Sequence, residues 1–309
     1  MIELKRLKTY SIRVRGSKVR SADFAQPPCK GRSFRDFFTG LPDILKAKEL
    51  RQVVKAVVYA QRHKKSVIFM MGAHVIKCGL SPVVIELMRK RVITTVCLNG
   101  AGVIHDFEFA FLGKTSEDVG ENLKTGKFGM GRETADFINK AVRLGAAEGK
   151  GFGWAVAEQM DKANLKHNSL SVLWNAFRLK VPVLVFVAVG TDIIHQHPSF
   201  DVASAAEASL RDFYTLVEEL SNLNQGGVVI NCGSAVILPE VFLKALNLSR
   251  NLGNKVKDFT TLALDMLYQY RPSRNVVERP VMSGGKGFYI LGHHEILLPL
   301  LAQAIIEEL

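Results

Sequence analysis

Apolar positions in this chain gather into four runs, and each run breaks off at a turn that contains glycine. Residues 66–71 lead into Gly72-Ala73-His74, residues 92–98 into Asn99-Gly100-Ala101-Gly102, residues 181–189 into Gly190-Thr191-Asp192, and residues 228–231 into Cys232-Gly233-Ser234. Runs of this length without polar alternation predict strands buried on both faces, as in a parallel sheet. Between them the periodicity turns helical. Residues 43–63 set Leu45, Leu50, Val53, Val54 and Val57 on one side, and Ser81-Pro82 supplies an N-cap with a first-turn proline. Further helices are predicted over 132–148, 153–163, 169–179, 203–222, 239–248 and 292–309, and a further strand over 258–264.

Alternating strands and helices imply an α/β fold: a Rossmann-like, doubly wound, mostly parallel sheet with helices on both faces. The segment from residue 66 to 98 has the size of one strand-helix-strand unit. Ligands of such sheets bind just outside the carboxyl ends of the strands, which is where all four glycine turns are expected to lie. The pattern thus points to a nucleotide-type site. No internal repeat and no low-complexity linker interrupts the chain, so the expected organisation is an amino-terminal arm, 1–30, and one domain, 31–309.

The chain has 309 residues, of which 48% are apolar, a composition for a packed core and not for disorder. No apolar stretch reaches the ~18 residues of a membrane helix, so no membrane association is expected. Cys29, Cys78, Cys97 and Cys232 are scattered without metal or disulfide spacing, which suits a reducing cytoplasm. Half of the net charge of +12 lies in the first twenty residues, where Lys5, Arg6, Lys8, Arg13, Arg15, Lys18 and Arg20 face only Glu3. That arm lacks aromatic interleaving beyond Tyr10, and no nucleic-acid motif follows it, so a solvated or subunit-packing arm is expected over a nucleic-acid binder.

Candidate chemistry sits mostly at the predicted rim. Asn99-Gly100-Ala101-Gly102 has two glycines of a phosphate-approach turn, but His105 stands where a fingerprint would carry its third. Asp192 ends a strongly apolar strand, where a carboxylate is costly unless it faces a cleft or a partner; a ribose hydroxyl and a local cap are the two readings. His195 and His197 flank Gln196 after the same strand, the pattern of a metal-dependent hydrolase or of polar cleft lining. Ser283-Gly284-Gly285-Lys286-Gly287 places a lysine among glycines, either a desolvated nucleophile or a surface lysine.

Taken together, from about residue 66 onward, these segments resemble the deoxyhypusine synthase family in order and spacing. Gly72 to Gly79 resembles its first cofactor turn, Asn99 to Asp106 its glycine turn ending in aspartate, and Thr191-Asp192 the pair after its central strand. Cys232-Gly233 falls at its glycine-rich turn, Ser283-Gly284-Gly285-Lys286 resembles its serine-tryptophan-glycine-lysine motif, and Pro299-Leu300-Leu301 matches its last helix. The resemblance implies an NAD-dependent transferase that oxidises an amine and passes the aminoalkyl group through a lysine imine. It further implies a small amine substrate, a possible protein lysine acceptor, and a homotetramer with active sites between subunits. Lys286 would be catalytic; Gly72, Ala73, His74, Lys77, Asn99, Gly100, Ala101, Gly102, Asp192 and Gly233 would bind NAD; His105 and His197 would face the substrate. The chain departs from the family at Gly284 (a tryptophan there), at His105 and His197 (acidic residues there) and near Ile237 (a histidine there). A polyamine pocket needs carboxylates and an aromatic wall, which these exchanges remove, so standard spermidine is not the expected substrate. The alternatives are an NAD-binding relative without lysine-imine chemistry and a metal-dependent hydrolase using His195 and His197.

Overall fold

A computed structural model describes residues 3–309. The chain divides into a first unit that ends at Arg51 and a second, Gln52–Leu309. In the first unit three single 3-10 turns, at Leu4–Arg6, Ile12–Val14 and Ser21–Asp23, bury none of their own residues. The short helix α1 (Phe34–Thr39) follows, with the Ser33 hydroxyl accepting from Asp36 N, and α2 (Leu45–Arg62) runs across the junction.

The second unit is built on six parallel strands, β1 (Val67–Met71), β2 (Thr95–Asn99), β3 (Val183–Phe186), β4 (Val228–Cys232), β5 (Phe259–Asp265) and β6 (Gly285–Leu291), in the order β3-β2-β1-β4-β5-β6. The order reverses between β1 and β4, which defines the switch point of a doubly wound sheet. The connecting helices are α3 (Ala73–Lys77), α4 (Ser81–Arg89), α5 (Gly100–Leu112), α6 (Val119–Lys124), α7 (Arg132–Ala147), α8 (Phe152–Ala163), α9 (Val172–Leu179), α10 (Val202–Glu219), α11 (Ile237–Asn251), the single turn α12 (Tyr270–Pro272) and α13 (His294–Glu308).

Burial explains why the four apolar runs became strands β1 to β4. Ile68 and Met70 of β1 point into a cluster with Cys97, Leu184, Val229 and, from α11, Phe242. Val67, Phe69 and Met71 point the other way and are just as buried. Both faces are therefore covered, as the continuous apolar pattern requires. The Rossmann-like α/β class read from the sequence is the observed one.

Three local expectations need correction. Ser81 is the first residue of α4 and Leu80 its N-cap, so proline sits one place further in than predicted. Residues 99–102 are not an open turn: Asn99 caps α5 directly, its side chain accepting from Gly102 N at 3.0 Å. The glycine segment Ser283–Gly287 does not stay a loop: from Gly285 on it forms edge strand β6, paired with β5 from Phe259↔Gly285 to Asp265↔Leu291.

Candidate functional site

The carboxyl rim is drawn together by glycines whose reasons lie within the chain. A side chain at Gly72 would run into the backbone of Gly233, so β1 and β4 approach at the switch point closer than any other residue allows. Gly233 has φ +70, and a Cβ there would stand 2.6 Å from Nε2 of His294. His294 in turn lies with Nδ1 3.7 Å from Sγ of Cys232, and its ring centroid is 5.8 Å from that of His74. Burial lowers the His294 pKa, so its ring favours the neutral form.

At α5 the same logic applies. Gly102 packs on Leu98, 2.9 Å from a would-be Cβ, and Gly100 makes room for the carboxylate of Asp192. Asp192 is buried, its carboxyl accepts from Ala101 N, and burial pushes its pKa up to about 6. Beside it, Nδ1 of His195 accepts from Gly190 N at 3.1 Å and Asp192 N at 3.2 Å. A ring nitrogen that accepts carries no proton, so the His195 proton is on Nε2, 3.8 Å from Oδ2 of Asp192. Both atoms are buried and otherwise unpartnered. The cap expected of Asp192 lies in the loop that follows it, where it precedes the turn Ile193–Gln196; its bond to Ala101 also closes the amino terminus of α5, distant in sequence.

Next to this rim, between α5, α7 and the segment joining them, lies a cavity of about 800 Å³. Lys77, Ala101, His105 and Asp192 line it, as do Glu108, Glu117, Glu133, Lys114, Thr115 and Thr134. Polar side chains converge on Glu108. Thr115 donates its hydroxyl to Oε2, Thr134 donates to Oε1 at 3.1 Å, and Nδ1 of His105 lies 2.7 Å from Oγ1 of Thr115. Burial lowers the His105 pKa, with Lys77 adding to this and Glu108 opposing it. The segment that carries Thr115 is pinned again at Gly129, whose carbonyl accepts from Nε2 of His197 at 2.8 Å and whose N–H donates to Glu117 at 2.8 Å.

The fold thus brings Lys77, Ala101, His105 and Asp192 to one cavity, with Asn99, Gly100 and Gly102 shaping its α5 wall. Gly72, Ala73, His74 and Gly233 gather at the switch point instead. Lys286 joins neither group. It is exposed and pairs with Thr260 near the amino ends of the strands, on the edge strand, so within one chain it faces away from the rim. His195 and His197 do not converge either, since each directs a ring nitrogen to backbone. Among the described residues no group of three or more His, Cys, Asp or Glu side chains is placed to hold a metal ion. Three carboxylates at positions other than those compared with the family, Glu108, Glu117 and Glu133, line the cavity. Sequence reading missed Glu108 because α5 was not predicted; once it is a helix, His105 and Glu108 share a face at spacing i, i+3.

No family model matches the chain, and no curated protein matches it. Several solved structures do. A conserved LOR/SDH protein from Methanococcus maripaludis S2 matches at 15% identity and TM-score 0.53, over 86% of this chain and 72% of that one. AgrE, solved as a ternary complex with ornithine and NAD+, matches at 12% identity and TM-score 0.55 over 84% of this chain, which spans only 33% of AgrE. A protein assigned as a deoxyhypusine synthase from Entamoeba histolytica matches at 9% identity and TM-score 0.54, over 90% of this chain and 94% of that one. At these identities the likeness is one of fold, the Rossmann-like fold described above.

A dinucleotide needs space, acceptors for its ribose hydroxyls and positive charge for its phosphates. The cavity is of ligand-site size, Glu117 and Glu133 are acceptors on its wall that already bond Gly129, Asn122 and Arg132, and Lys77 and Lys114 are its cations. The helix terminus that commonly takes a pyrophosphate is taken by the chain itself, because Asn99 and Asp192 hold the Gly102 and Ala101 N–H groups. The cavity therefore has the size and the charged side chains a dinucleotide would need, and Lys77 and Lys114, not the α5 terminus, are the groups that would hold its phosphates.

Proposed function

We propose that this protein is an NAD-dependent enzyme that oxidises a small cationic amine in the cavity beside α5. The observation behind this reading is the company the cavity keeps: carboxylates from Glu108, Glu117 and Glu133 and a half-buried, neutral-leaning histidine line one chamber. Glu117 and Glu133 are exposed and Glu108 is half-buried, and carboxylates bind an ammonium group through charge-assisted hydrogen bonds. A bound nicotinamide would supply the hydride acceptor, and the chain would supply orientation and exclusion of water. The structural likeness to AgrE, whose complex holds ornithine and NAD+ together, supports the pairing of an amine with this cofactor.

Transfer of an aminoalkyl group through Lys286 is not part of this proposal. Its place at the amino end of β6 favours the reading in which the chain binds NAD without lysine-imine chemistry. The test is NADH formation with a panel of mono-, di- and polyamines and basic amino acids, for the native chain and for Lys286→Ala. Equal turnover by both supports the proposal. Loss of turnover in Lys286→Ala, or borohydride trapping of an adduct on Lys286, would restore the transfer reading.

A further inference from the structure

We infer that Glu108 and Thr115 are positioning residues that fix His105 in one tautomer and so make its Nε2 the proton acceptor of the site; the catalytic use of that nitrogen rests on the amine-oxidation reading above. A threonine hydroxyl has one proton to give. Thr115 gives it to Glu108, because a carboxylate can only accept. At 2.7 Å from the same oxygen, Nδ1 of His105 must then be the donor. The neutral ring therefore carries its proton on Nδ1 and leaves the lone pair on Nε2, which has no hydrogen-bond partner among the described residues, on a side chain that lines the cavity. Glu108 is held from both sides, since Thr134 donates to its other oxygen at 3.1 Å.

The proton inventory is simple. The N–H bond of a bound ammonium breaks, its electron pair stays on the amine nitrogen, and a new N–H bond forms at Nε2 of His105. The ring becomes a cation, which the Glu108 carboxylate stabilises through Thr115. An amine freed of its proton in this way can lose hydride from the adjacent carbon; an ammonium cannot. Of the charged groups acting on His105, Glu108 on its own helix favours protonation, and Lys77 on α3 opposes it. Thr115 belongs to the segment between α5 and α7 that walls the cavity, so the relay is complete only with that segment seated.

The test is the histidine tautomer, read by long-range proton–nitrogen NMR on the free chain with neither cofactor nor amine. Native protein is expected to show His105 protonated at Nδ1. Thr115→Val is expected to lose that preference, and Thr115→Ser, which keeps the hydroxyl, to retain it. A native ring protonated at Nε2, or a Thr115→Val ring that keeps the native tautomer, overturns the inference. Because no substrate is present, this result is independent of whether amines are turned over. With a turned-over amine, Glu108→Gln moves the acid limb of the kcat/KM profile to lower pH, whereas a merely structural Glu108 leaves that limb in place.

Discussion

Gly100 shows how much of the candidate site is decided at single positions. A methyl group there would meet the Asp192 carboxylate, so Gly100→Ala is expected to dislodge Asp192 and to destabilise the chain by about 1–3 kcal/mol. Urea unfolding checks this; an unchanged midpoint would mean that the contact is not binding on the fold. The buried acids make a second prediction. Burial pushes Asp106 and Asp192 to about 6 and Asp212 to about 7, against an ordinary value of 3.8. Between about pH 4 and about pH 7 the folded chain therefore holds protons that the unfolded chain has released, and these groups' contribution to stability falls as pH rises. Asp212, which accepts from Gly153 N at 3.0 Å and Val185 N at 2.8 Å, has the widest window. In Asp212→Asn the decline of thermal stability from about pH 5 to about pH 7.5 should be shallower than in the native chain. An equally steep decline would assign the effect to other groups.

At the scale of elements, the four buried strands were legible because burial on both faces leaves an unbroken apolar run, and no other reading suits nine such residues from 181 to 189. Even there the strand itself stops at Phe186, where the sheet ends and the apolar residues beyond it serve the loop. Of the elements that were not legible, two changed the reading of the site. α5 opens with Gly100 and Gly102, poor helix formers that allow close approach to Asp192 and Leu98, so local propensity pointed to a turn. β6 opens on Gly-Lys-Gly at a sheet edge, where exposure removes the apolar signal. Missing α5 hid Glu108, and missing β6 made Lys286 look like a pocket lysine. The segment between α5 and α7 offers its own check. His197→Ala frees the Gly129 carbonyl, and residues 126–131 should exchange their amide hydrogens faster while the central strands do not. Unchanged exchange there would show that Glu117 alone holds the segment.

For the whole molecule, a switch point between β1 and β4 and a walled cavity over β2 and β3 divide the rim into two neighbouring regions. No helix among the described residues is long and apolar enough to cross a membrane. In the first unit Lys5, Arg6, Lys8, Arg13, Arg15, Lys18 and Arg20 lie exposed. The reading therefore rests on one chamber and its histidine. The most direct measurement is amine-dependent NADH formation compared among the native chain, His105→Gln and Lys286→Ala. The account predicts a loss on the order of 100-fold for His105→Gln, the scale of a missing general base, and native rates for Lys286→Ala. Abolished turnover in Lys286→Ala beside a fully active His105→Gln would contradict it.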